Sequence, residues 1–430
     1  MNEWLAKDDK HVWHPFTALE GSPSPLLIES ANGIYLHTAD GRKIIDGISS
    51  WWVNIHGHGH PTIAKAIAEQ VMHLDHIIFA GFTHKPAIQL AENLLSVLGG
   101  NFSKVFFSDN GSTAVEVALK IAIQFWRNKG VVKNRIVAIE GAYHGDTFGA
   151  MSVGERSAFT HPFANHLFHV DFIPFPVKED EGTALSALET YFQKSDVAAF
   201  IFEPLVQAAA GMRIYSKEFL NKALELCMQY DVISIADEVF TGFGRTGKLF
   251  AFNHLEETPD IIALSKGITG GVIPLGVTAC STSIVDAFQS KEVDKTFFHG
   301  HSFTGNPIAC ASANASFQLL RSSSCQQNIS LIGDHHQEFA KSISSHRAVK
   351  DVRTIGTILA IELATGAHTS YFNDVRKVIY KYFLSKDILL RPLGNVIYLL
   401  PPSVIQPFEL QRVYAAINNF LEEYSQGELN

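Results

Sequence analysis

The sequence has 430 residues, of which 46% are hydrophobic, and its formal net charge at pH 7 is -9. A chain of this length and composition can bury a large core and is expected to form two closely joined domains. The acidic balance argues against nucleic acid or an anionic membrane as the main partner. The charged N-terminus is unlike a signal peptide, and no apolar run is long enough to span a bilayer. The 4 cysteines show no close pairing pattern, so we expect a reducing, cytoplasmic location.

Helical and strand-like patterns alternate along the first half of the chain. Helices are predicted at 62–74, 85–98, 112–127 and 216–230, and strands at 105–107, 135–139, 198–202 and 232–236. This alternation predicts an α/β fold with a mostly parallel sheet and helices on both faces. A long helical stretch after residue 307 leads to an apolar segment at 358–363. We place a large domain at 51–310 and a smaller α/β domain at 311–430.

Two residues in the middle of the chain indicate a particular chemistry. Asp237 ends a strand rich in β-branched residues, and the strand period of two puts Asp237 and Val239 on one side. Lys266 follows the next apolar segment. A lysine amine can bond to the aldehyde of a pyridine cofactor, and a buried carboxylate can keep the pyridine nitrogen protonated. The pair therefore predicts pyridoxal phosphate chemistry and amino transfer. Taken singly, Asp237 is typical of a residue that caps the next element, and Lys266 of an exposed loop.

A small polar loop, Asp109-Asn110-Gly111-Ser112-Thr113, precedes the predicted helix 112–127. Such a loop presents unpaired N–H groups and the positive end of the helix dipole to an anion. We therefore predict that Gly111 and Ser112 bind a phosphate. The alternative is an ordinary helix cap in which Glu116 is the capping-box partner.

The glycine-rich loop at 242–247 satisfies the dinucleotide pattern G-x-G-x-x-G, and Gly247-Lys248 nearly completes a P-loop. The P-loop fails because Leu249 stands where a serine or threonine must bind magnesium. A dinucleotide site requires a helix directly after the loop, but the sequence continues with an aromatic-rich segment and then Pro259. A nicotinamide-dependent oxidoreductase is therefore a remote alternative. Arg245 in this loop is either functional or an anchor for the loop.

His56, His58 and His60 alternate along an extended segment, as the ligands of a zinc ion would. The intervening glycines leave the histidines poorly positioned, and no carboxylate is evident to orient them. We predict no metal site and interpret this segment as a loop that lines the substrate channel.

Longer motifs cover nearly the whole chain. They lie at residues 13–17, 46–52, 108–112, 143–147, 203–207, 241–247, 299–307, 390–394 and 398–402. With these motifs the sequence resembles the class III (omega) aminotransferases of fold type I. The resemblance implies pyridoxal 5′-phosphate as cofactor, an N-terminal segment at 1–50 that joins the small domain, and a homodimer with active sites at the interface.

The resemblance also implies the roles of individual residues. The implied catalytic residues are Lys266, Asp237 and Tyr143. The implied cofactor ligands are Gly111, Ser112, Tyr143, Gln207, Asp237, Lys266, His301 and Ser302. Tyr143 would stack on the ring, Gln207 would bond the ring hydroxyl oxygen, and Ser302 would reach the phosphate across the dimer interface. Without the resemblance, Tyr143 is equally typical of a core aromatic and Gln207 of a surface amide.

The implied substrate-binding residues are Phe16, Trp51, Trp52, Tyr143, Lys266, Gly300, Arg391 and Tyr398. Arg391 would hold the substrate carboxylate, because a guanidinium donates two parallel hydrogen bonds. Within the family, the chain is most similar to the branch that converts 8-amino-7-oxononanoate to 7,8-diaminononanoate in biotin biosynthesis.

The amino donor is less closely defined by the sequence. Trp51 and Trp52 form an aromatic wall suited to an adenine ring and a sulfonium cation, which favours S-adenosylmethionine. Phe16 stands where members that use this donor often have tyrosine, and His301-Ser302 resembles members that use lysine. Lysine is therefore the alternative donor. Another omega-aminotransferase and a non-catalytic module that binds pyridoxal phosphate are the alternative functions.

Overall fold

A computed structural model describes residues 2–99, 101–365 and 373–429. The strands are β1 Ile28–Asn32, β2 Tyr35–Thr38, β3 Lys43–Asp46, β4 Phe102–Ser108, β5 Arg135–Ile139, β6 Asp171–Ile173, β7 Val197–Phe202, β8 Val206–Gln207, β9 Arg213–Ile214, β10 Ile233–Asp237, β11 Ile261–Leu264, β12 Gly276–Ser281, β13 Val349–Ile355, β14 Ile358–Leu363, β15 Ile388–Leu389 and β16 Val396–Leu399. Right-handed α-helices span Glu3–His11, Pro61–His73, Lys85–Leu98, Gly111–Asn128, Phe148–Val153, Glu181–Phe192, Lys217–Gln229, Thr282–Asp286, Pro307–Leu320, Ser323–Ile343, Val375–Ser385 and Pro407–Gln426. Short 3-10 helices span His161–His166, Ala251–His254, Lys266–Thr269 and Val293–Lys295.

A 7-stranded sheet with the order β4-β12-β11-β10-β7-β5-β6 forms the centre of the protein. Its strands are parallel except for β12, which pairs antiparallel with both β11 and β4. Alternate residues of β5 enter different core clusters: Val137 and Ile139 pack in one, and Ile136 and Ala138 in the other. Both faces of the sheet are therefore buried, as a parallel sheet covered by helices requires. The predicted α/β class with a mostly parallel sheet is confirmed.

Two smaller sheets bring distant parts of the chain together. Strands β13, β14 and β16 form one antiparallel sheet, and β1, β2, β3 and β15 form the other. In the second sheet β3 runs parallel to β15, so the N-terminal strands join a C-terminal segment. This pairing supports the division into 1–50, 51–310 and 311–430, which stays a prediction.

Most predicted elements agree closely with the structure. The helix predicted at 216–230 spans Lys217–Gln229, because the Ser216 hydroxyl caps it by accepting the N–H of Phe219 at 2.9 Å. The helical stretch after residue 307 is broken into Pro307–Leu320 and Ser323–Ile343, where the Ser322 side chain caps the second helix. Strand β13 was not predicted. Among the described residues, no helix is long and apolar enough to cross a membrane.

Candidate active site

One cavity of about 530 Å³ lies at the carboxyl edge of the central sheet. The residues that line it follow the ends of β4, β5, β7, β10 and β11, which is where ligands bind in open α/β sheets. The predicted site residues that line this cavity are Trp52, Gly111, Ser112, Tyr143, Asp237 and Lys266. Six residues predicted from motifs far apart in the sequence therefore meet in one place.

Lys266 begins a 3-10 helix directly after β11 and has a φ of 49°. Its Nζ lies 4.8 Å from the ring centroid of Trp52 and 5.8 Å from that of Phe240. Burial lowers the pKa of Lys266 to about 8, although the negative charges of Asp237 and Glu203 oppose the shift. The amine is therefore much more often neutral near physiological pH than a lysine in water, and a neutral amine is the nucleophilic form.

Asp237 is buried at the end of β10, and its carboxylate is fixed by two hydrogen bonds. Nδ1 of His144 lies 2.7 Å from one oxygen, and the N–H of Val239 donates to the other at 3.0 Å. Nε2 of His144 has no partner among the described residues. His144 had no predicted role, and its only signal in the sequence is its place beside Tyr143.

Glu203 is a second buried group that the sequence did not assign. Its carboxylate accepts N–H bonds from Tyr143 at 3.1 Å and from Ala208 at 3.2 Å. Burial raises the pKa of Glu203 to about 7, partly against the effect of the neighbouring His144. Glu203 thus fixes the backbone at Tyr143, and Tyr143 lines the cavity.

The predicted phosphate site lies at the first turn of helix Gly111–Asn128. Asn110 caps this helix, and Thr113 is its capping-box partner. The alternative role of Glu116 in that box is wrong, because Glu116 instead accepts hydrogen bonds from the Thr147 hydroxyl and the N–H of Gly149. An ideal Cβ on Gly111 would lie 2.6 Å from a methyl carbon of Val239, so only glycine fits at this position.

Three predicted substrate-binding residues, Phe16, Trp51 and Arg391, form a group around the Trp51 ring and do not themselves line the cavity, whereas Trp52, the next residue, does. The guanidinium of Arg391 lies 4.7 Å from the Trp51 ring centroid, and the Phe16 ring meets Trp51 edge-on at 5.6 Å. Tyr398 is buried and does not line the cavity; its hydroxyl accepts a 3.0 Å hydrogen bond from Nε1 of Trp52. Tyr398 therefore orients Trp52, and its predicted contact with substrate stays a prediction.

Both ends of the Gln207 amide are hydrogen-bonded within the protein. Its amide nitrogen donates to the Glu140 carbonyl at 3.0 Å, and its amide oxygen accepts from Arg213 at 2.5 Å. Gln207 does not line the cavity, and its predicted bond to the ring hydroxyl oxygen stays a prediction. Gly300, His301 and Ser302 also lie outside the cavity of this chain. Their contribution across a dimer interface stays a prediction.

The three alternating histidines have separate partners. Nε2 of His56 lies 3.1 Å from the Ser316 hydroxyl, Nε2 of His58 lies 2.9 Å from Asp46, and His60 caps the following helix. Within the described parts of the chain, no group of histidine, cysteine, aspartate or glutamate has the arrangement of a metal site. None of the three histidines lines the cavity, and the interpretation of this segment as a channel lining stays a prediction.

Arg245, in the glycine-rich loop, is buried and anchors its surroundings. Its guanidinium donates to the carbonyls of Pro401 at 3.3 Å and Trp52 at 3.1 Å. Of its two possible roles, these contacts support the structural one. No helix begins directly after the loop, which agrees with the rejection of a dinucleotide site.

The sequence profile of the class III aminotransferases matches residues 16–421. The chain belongs to the class III aminotransferases. It is similar to a protein of Synechococcus elongatus named adenosylmethionine-8-amino-7-oxononanoate aminotransferase, with 47% identity over 96% of this chain and 99% of the relative. A protein of the same name from Anoxybacillus flavithermus is 38% identical over 98% of this chain and 97% of the relative. The crystal structure of a protein of that name from Methanocaldococcus jannaschii matches with a TM-score of 0.91, 33% identity, and coverage of 97% of this chain and 98% of that one.

Aminotransferases of class III depend on pyridoxal 5′-phosphate, and the residues of this aminotransferase fit that cofactor. The fit requires an amine for the aldehyde, a fixed carboxylate for the pyridine nitrogen and N–H donors for the phosphate. Lys266, Asp237 and the Gly111-Ser112 turn supply these groups around one cavity. Ser112 also meets the loop after β5, because its hydroxyl accepts the N–H of Asp146 at 2.9 Å.

Proposed function

We propose that this aminotransferase converts 8-amino-7-oxononanoate to 7,8-diaminononanoate in biotin biosynthesis, with S-adenosylmethionine as amino donor. The names of the full-length relatives support the reaction. The observation that carries the proposal is the contact of Arg391 with Trp51, next to Trp52 and Lys266. A guanidinium beside an aromatic wall suits a substrate that has both a carboxylate and an extended chain.

Lys266 is the proposed acid and base. Pyridoxal phosphate, when bound, supplies an electron-withdrawing ring that stabilises negative charge on the substrate carbon. Nζ of Lys266 would take the proton from the donor carbon that bears the amine and pass it to the cofactor carbon that receives the amino group, and in the second half-reaction it would move a proton in the opposite direction, from the cofactor carbon to the acceptor carbon. A pKa of about 8 suits both directions, because proton transfer is most effective when the pKa is near the working pH.

The other residues bind and orient. Asp237 would keep the pyridine nitrogen protonated, and Nδ1 of His144 holds the Asp237 carboxylate at 2.7 Å. Gly111 and Ser112 would hold the phosphate at the helix N-terminus. Arg391 would bind the substrate carboxylate, and Tyr143 would hold the cofactor ring.

We further propose a cytoplasmic homodimer in which Gly300, His301 and Ser302 complete the active site of the partner subunit. The large exposed side chains of Phe298 and Phe303 flank this segment, and burying them against a second copy would be favourable. The four buried free cysteines support a reducing compartment.

The proposed reaction is tested with purified protein, pyridoxal phosphate, 8-amino-7-oxononanoate and S-adenosylmethionine. Mass spectrometry should detect 7,8-diaminononanoate with the wild-type protein and none with Lys266→Ala. Product from a different ketone at a higher kcat/KM, with none from 8-amino-7-oxononanoate, would contradict the proposed substrate.

A further inference from the structure

The segment that carries both substrate-site tryptophans has an unusual backbone. Ser49, Ser50, Trp51 and Trp52 have φ values of 52°, 44°, 67° and 76°, so all four lie in the left-handed region. Residues with a Cβ disfavour this region, and a run without glycine persists only when its surroundings hold it. The segment from Ser49 to Trp52 is here called the left-handed turn.

Asp46 binds both the backbone and the side chain of Ser50 in this turn. It is fully buried at the end of β3. One carboxylate oxygen accepts the N–H groups of Ser50 at 2.9 Å and Ile48 at 3.3 Å. The other accepts the Ser50 hydroxyl at 2.6 Å and lies 2.9 Å from Nε2 of His58. A neutral amide could not satisfy these donors equally well, because it accepts hydrogen bonds only at its oxygen, whereas a carboxylate accepts them at both oxygens.

The position of Asp46 in the sheet links it to a second part of the substrate site. Asp46 pairs with Leu389 in the parallel ladder between β3 and β15. Arg391 follows two residues later and stacks on Trp51. Asp46 thus lies where the strand leading to Arg391 meets the turn that carries Trp51. A change in this carboxylate would alter the position of Trp51 relative to Arg391.

We propose that Asp46 is a positioning residue for substrate binding: through Ser50 and His58 it holds the left-handed turn so that Trp51 faces Arg391 and Trp52 covers Lys266. Asp46 lines neither the cavity nor the predicted phosphate site, so it acts on the substrate only through the turn. The inference rests on the proposed roles of Trp51 and Arg391 in substrate binding.

Asp46→Asn tests the proposal because it keeps the shape and removes the charge. We expect KM for the acceptor to rise about tenfold or more, the usual effect of losing a hydrogen bond to a charged group, while kcat changes by less than about threefold. Asp260→Asn is the matched control. Asp260 accepts the N–H and hydroxyl of Ser234 at 2.9 and 2.7 Å, at the opposite end of β10 from the active site. Its substitution should lower thermal stability and leave KM unchanged.

Hydrogen exchange gives a readout that does not depend on activity. In Asp46→Asn, amides of peptides covering residues 47–54 should exchange faster, while peptides from β7 and β10 remain as protected as in the wild type. If Asp46→Asn fails to fold, Ser50→Ala and His58→Gln each remove one bond to the carboxylate and should each raise KM a few-fold. An unchanged KM in the folded variants, or a uniform increase of exchange over the whole protein, would overturn the positioning role. A wild-type protein without amino transfer would contradict the proposed function instead, and the exchange experiment would still test the turn.

Discussion

Lys266 has a pKa well below that of a lysine in water, and this gives a pH-dependent prediction. Because burial lowers the folded-state pKa from 10.5 to about 8, the neutral fraction of the amine increases as the pH rises through about 8. The rate at which cofactor-free protein captures pyridoxal phosphate covalently should therefore increase from about pH 7 to about pH 9 and then level off. Absorbance stopped-flow measurements check this, with Lys266→Arg as a control that should show no capture. A rate that still increases beyond about pH 10 would mean that the amine is not desolvated.

Asp237→Asn should affect turnover more than cofactor binding. The amide keeps the size of the side chain but removes the charge that holds the pyridine nitrogen protonated. Loss of one preorganised electrostatic group lowers kcat by about 100-fold to 1,000-fold. Single-turnover kinetics and cofactor titration measure the two effects separately. A near-normal single-turnover rate would assign Asp237 a structural role only.

Arg391→Lys keeps the positive charge but loses the planar fork that fits a carboxylate. If donor and acceptor use the same site, KM should rise in both half-reactions, by about tenfold or more. Arg321→Lys is a matched control, because Arg321 also lies beside an aromatic ring, that of Phe317, but is exposed and remote from the cavity. If the KM values of both substrates are unchanged in Arg391→Lys, Arg391 does not bind the substrate carboxylate.

The sequence predicts side chains best where the signal is local. The strand period placed Asp237 and Val239 on one side, and both line the cavity. His144 and Glu203 were missed because their importance comes from contacts between segments far apart in sequence. The loop after β5 carries His144, which meets Asp237 at the end of β10, and Glu203 follows β7 and meets the Tyr143 N–H in the same loop. The contact of Gln207 with Arg213, by contrast, is local, because β8 and the facing strand β9 are close in sequence.

The helix Gly111–Asn128 gives a prediction at the scale of elements. Gly111→Ala puts a Cβ 2.6 Å from Val239, so the first turn of the helix must shift away from its position at the cavity. Cofactor affinity should fall, and stability should decrease by about 1 to 3 kcal/mol, the usual cost of overpacking. Isothermal titration and thermal melts measure these quantities.

Gly182→Ala is the control for that substitution. Gly182 also lies in the first turn of a helix, Glu181–Phe192, but an added Cβ there meets nothing within 4 Å. Its substitution should leave cofactor affinity unchanged and keep or slightly raise stability. Equal effects of the two substitutions would mean that Gly111 has no special role at the cavity.

Helices could be predicted from the sequence where the spacing of apolar residues and the capping residues indicate the same bounds. The helix Lys85–Leu98 has the predicted bounds because apolar residues recur at helical spacing and His84 caps its start. The left-handed turn could not be predicted, because Ser49-Ser50-Trp51-Trp52 contains no glycine to mark it. Only the buried Asp46 and tertiary contacts such as Ser49 with the Leu400 carbonyl make this conformation stable.

At the scale of the whole molecule, the proposed dimer predicts that active sites are shared. Ser302→Ala should weaken cofactor binding if the Ser302 hydroxyl reaches the phosphate of the partner subunit. Hybrids of Lys266→Ala and Ser302→Ala subunits should contain one intact site and one doubly altered site. Cofactor titration of such hybrids should therefore show half of the sites with wild-type affinity. Sedimentation as a monomer under turnover conditions, or no high-affinity site in the hybrids, would contradict the shared site.

The choice of amino donor depends on the whole substrate site. S-adenosylmethionine presents a carboxylate, a sulfonium cation and an adenine ring, which match Arg391 and the exposed face of Trp51 better than the flexible chain of lysine does. Each donor is mixed separately with the cofactor-loaded enzyme at equal concentration, and the change in cofactor absorbance is followed. We expect conversion to the amino form with S-adenosylmethionine only, and a much slower rate in Trp51→Ala. Faster conversion with lysine would contradict S-adenosylmethionine as the donor and would leave the roles of Lys266 and Asp237 intact.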